Sequence, residues 1–440
     1  MMVAKENQKD KLISWKEIAD YLDSRVRTCQ RWEKEFGLPV HRFIDSSKSR
    51  VFAYKKELDK WLQSRPKDNK KNKLKFLLFL IPAAALFGLY FLFFKPPSPS
   101  QPHDFTIQDS ELVILNKKKK ELWRFDTGLR GLKSEEFYRN HFQVKRNAKK
   151  GPRRNMPLLM IRDIDQDKKK DVLFVPKTID TTVEGSKLFC LDNKQREMWS
   201  FDPGREMTFG KKTYTSLYFI EGFTLIDLYQ DQRPEIIVLS KNQYMFPTQV
   251  AVLNPTGNMQ REYWNSGRIY DYSFYDLDQD GDKEMLLGGC NNEYDKGFLA
   301  VLEADFKSGG SPQTGYYKSA ELLQGVEKKY ILFPRNVAGK NEYNRGNIIR
   351  IYIINDKIIS AETKSGLYFE FDFNFVLNEI RFADRYENLH NQAFQKGLTK
   401  EPFSPQVTAK LKSELMTQVL YYDGQGWARI SVVAQNKDPH

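Results

Sequence analysis

The chain has 440 residues, too many for one ordinary domain, so two or three units are expected. Its 22 Tyr and 31 Phe favour a folded protein rich in β structure and argue against a disordered chain. Residues 1–75 hold 20 Lys and Arg and 11 Asp and Glu, and the rest of the chain holds 50 and 46. This localised positive charge indicates nucleic acid or an anionic membrane surface as a partner; a solvated basic tail is the simpler alternative.

The three cysteines, Cys29, Cys190 and Cys290, have no metal-ligand spacing, and their number excludes a disulfide framework. A single bridge between Cys190 and Cys290 stays open as an alternative. Because both residues stand in apolar, strand-like runs, we expect buried free thiols instead.

The first predicted unit, residues 1–64, contains two short helices, a hairpin and a third helix. Ser14 opens the stretch SWKEIADYL as an N-cap, and Glu17 follows three residues later, which is a capping-box arrangement. After the turn DSRV, the run RTCQRWEKE predicts a second helix, and the pair reads as a helix-turn-helix. Residues 40–43 and 51–54 are expected to pair as a wing, and KKELDKWLQ predicts the closing helix.

Residues 12–63 resemble the MerR/excisionase type of winged helix-turn-helix in the ordered pieces SWKEIADYL, RTCQRWEKEFGLPVHRF and VFAYKKELDKWL. The resemblance implies a small α+β domain that binds double-stranded DNA sequence-specifically, with the second helix in the major groove. Arg, Gln and Thr side chains suit base edges and wing cations suit phosphates, although the same residues can simply form a solvated face. A homodimer is expected because such heads contact two half-sites. The predicted DNA contacts are Arg25, Arg27, Thr28, Gln30, Arg31, Arg42, Lys48 and Arg50.

Residues 76–94, FLLFLIPAAALFGLYFLFF, contain no charged side chain. As a helix they reach about 28 Å, close to a hydrocarbon core of about 30 Å, and so predict a single transmembrane helix. A cleaved signal peptide would need an unusually long basic region before it and a small-residue cleavage site after it. The basic linker at 65–75 places the N-terminus in the cytoplasm of a bacterial cell, with the protein in the inner membrane. Residues 95–108 are then a Pro/Ser spacer to an extracytoplasmic domain.

Residues 109–436 are expected to form that domain as an all-β propeller built from internal repeats. ELVILNKKKKELWRFDTG at 111–128 and KLFCLDNKQREMWSFDPG at 187–204 align without a gap, with Trp123 matching Trp199. A looser copy begins at residue 250. Each repeat has the size of a four-stranded propeller blade, and five to seven blades are predicted.

Three acidic loops, each followed by an apolar strand, begin at Asp163, Asp227 and Asp276. With their strands they resemble the FG-GAP/VCBS family of β-propeller repeats, and the Trp-containing units resemble quinoprotein-type blades. In DLDQDGDKE, from residue 276, alternate carboxylates and a glycine turn are typical of a loop that wraps Ca²⁺. The simpler alternative is a hairpin turn stabilised by Asp side chains.

Structural Ca²⁺ is accordingly predicted in two of these loops. In the copy at 163, Lys168 replaces the glycine, but all four acidic positions are kept. In the copy at 227, Tyr229 replaces the second carboxylate, so no ion is expected in that copy. The predicted ligands are Asp276, Asp278, Asp280, Asp282 and Glu284 in one loop and Asp163, Asp165, Asp167 and Asp171 in the other.

No catalytic constellation is visible, because the five histidines stand apart and the chain contains no nucleophile motif or P-loop. We therefore expect no enzyme. The order of head, span and repeat domain predicts a membrane-anchored transcriptional regulator whose external propeller senses or binds an unidentified ligand or protein. The alternatives are a surface adhesion or scaffold protein with the head as its cytoplasmic anchor, and a propeller enzyme.

Overall fold

The chain separates into two compact units, Met1–Pro96 and Pro97–His440. It is a mostly β protein, and the helices among its described residues are short. The computed structural model describes residues 10–42, 51–64, 100–142, 156–179, 186–336 and 345–429.

The part of the first unit that the structure describes contains three helices and one small sheet, whose strands lie in the order β1-β3-β2. Ser14 caps the first helix as predicted, since its Oγ accepts the N–H of Glu17 at 3.2 Å while the Glu17 carboxylate accepts the N–H of Ile13 at 2.9 Å. The predicted helices are present. Their bounds are α1 Trp15–Tyr21, α2 Val26–Phe36 and α3 Lys55–Ser64, and the strands are β1 Lys11–Leu12, β2 His41–Arg42 and β3 Val51–Tyr54.

A compact core orients α2 within this unit. Cys29 on α2 is fully buried and belongs to the same apolar cluster as Ile18 and Leu58. The rings of Trp32 and Trp61 pack with their centroids 5.8 Å apart. Because one side of α2 is fixed against this core, its remaining side chains face outward at a defined angle.

Among the described residues of the second unit, five antiparallel meanders follow one another in chain order; in the fourth, one short strand that pairs elsewhere interrupts the sequence of strands. Sheet A has three meander strands and sheets B to E have four. Sheet A contains β4 Asp104–Gln108, β5 Glu111–Leu115 and β6 Glu121–Asp126; sheet B contains β7 Leu159–Arg162, β8 Asp171–Phe174, β9 Leu188–Leu191 and β10 Glu197–Phe201; sheet C contains β13 Tyr218–Ile226, β14 Glu235–Asn242, β15 Thr248–Leu253 and β16 Met259–Asn265; sheet D contains β17 Ile269–Tyr275, β18 Glu284–Asn291, β19 Lys296–Leu302 and β21 Lys329–Phe333; sheet E contains β22 Ile348–Ile354, β23 Ile358–Thr363, β24 Leu367–Phe371 and β25 Leu377–Phe382.

Further strands and helices connect or extend these sheets. A hairpin connects sheets B and C, a short strand pairs in parallel with β16, and two C-terminal strands extend sheet D beyond β21. These elements are β11 Met207–Phe209, β12 Lys212–Tyr214, β20 Gly309–Gly310, β26 Leu420–Tyr422, β27 Trp427–Arg429, α4 Glu135–Phe142, α5 Asp384–Gln395 and α6 Pro405–Met416.

The sheets pack on one another in chain order. Buried residues of sheets A, B and C form one apolar cluster, those of sheets C and D a second, and those of sheets D and E a third. Val238 of sheet C belongs to the first cluster and its strand neighbour Leu239 to the next. Because neighbouring residues of a strand point to opposite faces, sheet C is buried on both sides.

One turn recurs before the last meander strand of sheets A, B, C and E, and it confirms the repeat seen in the sequence. In sheet B, Asp192 Oδ1 accepts the N–H of Lys194 at 2.8 Å and of Arg196 at 2.9 Å. The same pair of hydrogen bonds, to the residues two and four positions later, is made in the other three sheets. The equivalent acceptors are Asn116, Asn254 and Asp372.

The two matched tryptophans connect consecutive sheets. Trp123 Nε1 donates to the carbonyl of Asn193 at 3.1 Å, and Trp199 Nε1 donates to the carbonyl of Pro255 at 3.0 Å. Each acceptor lies in the recurring turn of the next sheet. Under the Trp199 ring, a Cβ on Gly257 would come within 2.4 Å of Cδ2, so that turn requires glycine.

The predicted transmembrane segment, residues 76–94, lies outside the described residues. Within the described ranges no helix is long and apolar enough to cross a membrane. The longest described helices, α5 and α6, have 12 residues each, which is about 18 Å against the roughly 30 Å of a hydrocarbon core. This corrects the predicted single-pass location in a bacterial inner membrane, and with it the division into cytoplasmic and extracytoplasmic parts.

Candidate nucleic-acid interface and candidate metal centre

Helix α2 carries four of the eight side chains predicted to contact DNA. Arg27, Thr28, Gln30 and Arg31 are each partly exposed, and Arg25, immediately before the helix, is exposed. Arg31 also lies 3.8 Å from Glu35 along the helix, where both side chains are well solvated. An ion pair of this kind contributes little to stability, so it does not hold Arg31 away from a ligand.

The wing is less available to bind DNA phosphates than the sequence indicates. Arg42 donates two hydrogen bonds to the Glu33 carboxylate, at 2.6 and 3.1 Å. These bonds, with the charge of Glu33, raise the pKa of Arg42. A phosphate at Arg42 must therefore displace Glu33. The other two predicted wing contacts, Lys48 and Arg50, lie outside the described residues.

The three acidic loops occupy one structural position, between the first and second strands of their sheets. We name them loop B (163–171), loop C (227–235) and loop D (276–284). In each, the sixth residue donates its N–H to the first Asp at 2.9 to 3.0 Å. The second residue donates its N–H to the carboxylate at position nine, at 2.7 to 3.0 Å. The loops thus share one internal hydrogen-bond pattern.

Their backbones also agree at the two turning positions. Positions four and six have positive φ in all three loops. At position six, φ is 94° for Gly281, 68° for Lys168 and 68° for Gln232. The turn therefore does not require a glycine, because the side-chain hydrogen bonds hold non-glycine residues in the left-handed region at a modest strain.

In loop B, three carboxylates converge. Asp163, Asp165 and Asp171 each place an oxygen within 4.8 Å of the others. Burial, together with the charges of the neighbouring aspartates, raises the pKa of Asp171 to about 6. Asp167, predicted as a fourth ligand, instead forms an ion pair with Lys169. Converging hard oxygens suit Ca²⁺, so the residues of loop B fit the predicted ion.

Loop D has the same arrangement but already contains a cation. Asp276, Asp278 and Glu284 form the matching group of carboxylates. Lys328 Nζ lies 2.7 Å from Asp278 Oδ2 and 3.0 Å from Glu284 Oε1. Burial opposes the charged ammonium, yet the hydrogen bonds to these carboxylates and to Glu303 raise the pKa of Lys328 well above its usual value. Because Lys328 already pairs with two of the three carboxylates, loop D fits a divalent ion less well than loop B does.

The remaining predicted ligands of loop D lie outside this group. The Asp280 carboxylate accepts the N–H of Asp282 at 2.8 Å, which turns it back into the loop. The side chain of Asp282 is buried. The prediction of five ligands is therefore reduced to three convergent carboxylates.

Loop C differs at its third position. Tyr229 stands where loops B and D have Asp165 and Asp278, and its hydroxyl donates to the carbonyl of Ala304 at 3.1 Å. Burial raises the pKa of Glu235, at position nine, to about 7. Loop C is also the neighbour of the other two, because its backbone carbonyls accept from Gln166 at 2.7 Å and from Lys283 at 2.9 Å. The three loops thus form a row.

All three cysteines are free and buried, as expected from their apolar surroundings. Burial raises the pKa of Cys29, Cys190 and Cys290. Because the thiolate is the reactive form, these thiols are poor nucleophiles and poor metal ligands.

No protein-family model matches the chain, and no curated protein matches it. Among solved structures it is similar to BBS1N in complex with ARL6DN, at 8% identity over 64% of this chain and 69% of that chain, with a TM-score of 0.30. It is also similar to a protein of unknown function from Bacteroides caccae, at 7% identity over 65% and 96% of the two chains, with a TM-score of 0.25. A third is the quinohemoprotein alcohol dehydrogenase ADHIIG from Pseudomonas putida HK5, at 10% identity over 64% and 43%, with a TM-score of 0.30. Similarities this weak carry no argument about function.

Proposed function

We propose that residues 10–64 form a winged helix-turn-helix of the MerR/excisionase type that binds double-stranded DNA through α2. The protein then acts as a transcriptional regulator, and its second unit is the part that senses or binds a ligand. The observation that carries this proposal is the two-sided character of α2. Its inner side is anchored by Cys29 and Trp32, and Arg27, Thr28, Gln30 and Arg31 lie on its partly exposed side.

The order of elements supports the same proposal. Helices α1 and α2 are separated by a short turn, the strands β2 and β3 pair as a wing, and α3 closes the unit. In such domains the second helix enters the major groove and the wing approaches the backbone. Two copies of the chain, bound as a homodimer, would contact half-sites about one helical turn apart.

For the second unit we propose a five-bladed β-propeller of the FG-GAP/VCBS type with structural Ca²⁺ in loop B. Five consecutive sheets that pack in chain order support the blade count, and the tryptophan contacts between sheets support the blade repeat. Asp163, Asp165 and Asp171 would hold the ion. Bound Ca²⁺ would offset two of the three negative charges of these carboxylates, which otherwise repel one another.

The test uses the full chain and begins with genome-wide mapping of DNA that is cross-linked to it. A fragment found in this way is then titrated at several salt concentrations, because phosphate contacts make affinity fall as salt rises. Gln30→Ala is expected to weaken binding about 10-fold and to relax preference at one base pair, since a bidentate base contact contributes about 1–3 kcal/mol.

Lys60→Ala is the control, because Lys60 is exposed on α3 and is not among the predicted base or phosphate contacts. It is expected to change affinity little and to leave the sequence preference unaltered. Salt-independent association, or none at all with any mapped fragment, contradicts the proposed function.

A further inference from the structure

We infer that Lys328 is the resident cation of loop D: its ammonium group takes the place of the metal ion that the loop sequence indicates, so this loop closes without a metal. The inference concerns the second unit alone and does not depend on DNA binding by the first. It rests on the disagreement between a loop with a full set of Ca²⁺-type carboxylates and a lysine that already pairs with two of the three convergent ones.

The contacts of Lys328 define that pairing. Its Nζ donates to Asp278 and Glu284, two of the three convergent carboxylates of loop D, and also lies 3.0 Å from Glu303 Oε1. Glu284 is 1% exposed, so its charge requires a nearby cation. A divalent ion would bind the same Asp278 and Glu284 oxygens. The ammonium and a metal ion therefore exclude each other.

Lys328 is held in this place by its backbone and its neighbour. Its N–H donates to the carbonyl of Val301 on β19 at 2.8 Å, directly before β21 begins. The adjacent Glu327 accepts the hydroxyl of Tyr263 from sheet C at 2.7 Å. With both anchors, the side chain is only 26% exposed. These contacts fix the position of Lys328, which distinguishes it from a mobile surface lysine.

Loop B shows the same backbone without such a lysine. Of its lysines, Lys169 pairs with Asp167, which is not one of the convergent carboxylates. Among the described residues, no Lys or Arg nitrogen forms an ion pair with Asp163, Asp165 or Asp171. The same loop pattern therefore meets its need for a cation in two ways. In loop D a lysine of the chain supplies the positive charge, and in loop B the carboxylates stay open to a metal ion.

The test measures Ca²⁺ binding by calorimetry and thermal unfolding, with the full chain in EDTA and in Ca²⁺. All variants carry Asp165→Asn, which removes an exposed ligand of loop B, so that any Ca²⁺ binding that remains can be assigned to loop D. In that background Ca²⁺ is expected neither to bind nor to raise the melting temperature. Adding Lys328→Met is expected to create one Ca²⁺ site and a Ca²⁺-dependent rise in melting temperature, and further adding Asp278→Asn is expected to abolish both. Lys328→Arg, which keeps the charge, should create no site.

Two results overturn the inference. One is Ca²⁺ binding by the Asp165→Asn chain that disappears with Asp278→Asn, because loop D would then hold a metal with Lys328 present. The other is a folded Lys328→Met chain that binds no Ca²⁺. If Lys328→Met prevents folding, the comparison of Asp165→Asn with Asp165→Asn/Asp278→Asn still decides, because it leaves Lys328 intact.

Discussion

Loops B and D have the same length, the same turning positions and the same convergent carboxylates, yet they differ in what neutralises their charge. In loop D a lysine from a distant part of the chain lies among the carboxylates. In loop B the described contacts supply no such group. Local sequence therefore determines the shape of such a loop, whereas a residue far along the chain determines whether the loop needs a metal ion.

The largest effect is expected when the internal cation of loop D is removed. Lys328→Met leaves the buried Glu284 carboxylate without its ammonium partner, and breaking a buried pair in this way costs about 3 kcal/mol of unfolding free energy. Urea unfolding in EDTA measures the loss. Lys307→Met, which removes an exposed lysine, is the control and is expected to cost less than about 0.5 kcal/mol. Equal losses in the two variants would show that the Lys328 ion pairs contribute nothing.

Loop B is expected to respond to Ca²⁺ where loop D does not. A ligand at 100 times its Kd stabilises the folded state by about 2.7 kcal/mol. Chelation with EDTA should remove this increment, and so should Asp165→Asn. Asp167→Asn is the matched control, because Asp167 pairs with Lys169 and is not among the convergent ligands. If both substitutions abolish the Ca²⁺ effect equally, the ligand set assigned to loop B is wrong.

The sequence predicted the shape of these loops better than it predicted which cation lies in each of them. The repeated pattern located all three, and the aligned Trp units predicted the recurring turn and the sheet repeat, because both depend on residues a few positions apart. Lys328 could not be found in this way, since it is 44 positions from Glu284 and stands in no motif. The pairing of Arg42 with Glu33 was missed for the same reason, as it depends on how the wing packs against α2.

Loop C tests what happens to the carboxylate at position nine when neither a lysine nor a metal is near. Burial raises the pKa of Glu235 from 4.5 to about 7. A raised pKa means that the folded state binds the proton more tightly, so its stabilising contribution is complete below pH 4.5 and is lost as the pH rises through 7. Glu235→Gln should therefore be more stable than the natural chain by about 2 kcal/mol at pH 8, after allowance for partial exposure, and no more stable at pH 4. Urea unfolding across this range checks the expectation, and an unchanged pH profile contradicts it.

The smallest effect concerns the backbone that the loops share. Lys168 has a φ of 68° at the position where loop D has Gly281, and a non-glycine residue there costs about 1 kcal/mol. Lys168→Gly relieves this strain, but the more flexible unfolded chain offsets part of the gain, so a net stabilisation of about 0.5 kcal/mol is expected. Lys170→Gly, two positions later and outside the left-handed turn, is the control and should destabilise, because it makes the unfolded chain more flexible and relieves no strain. If Lys168→Gly destabilises as much as Lys170→Gly, the hydrogen bonds of loop B already hold Lys168 without strain, and the two loops then differ in their cation alone.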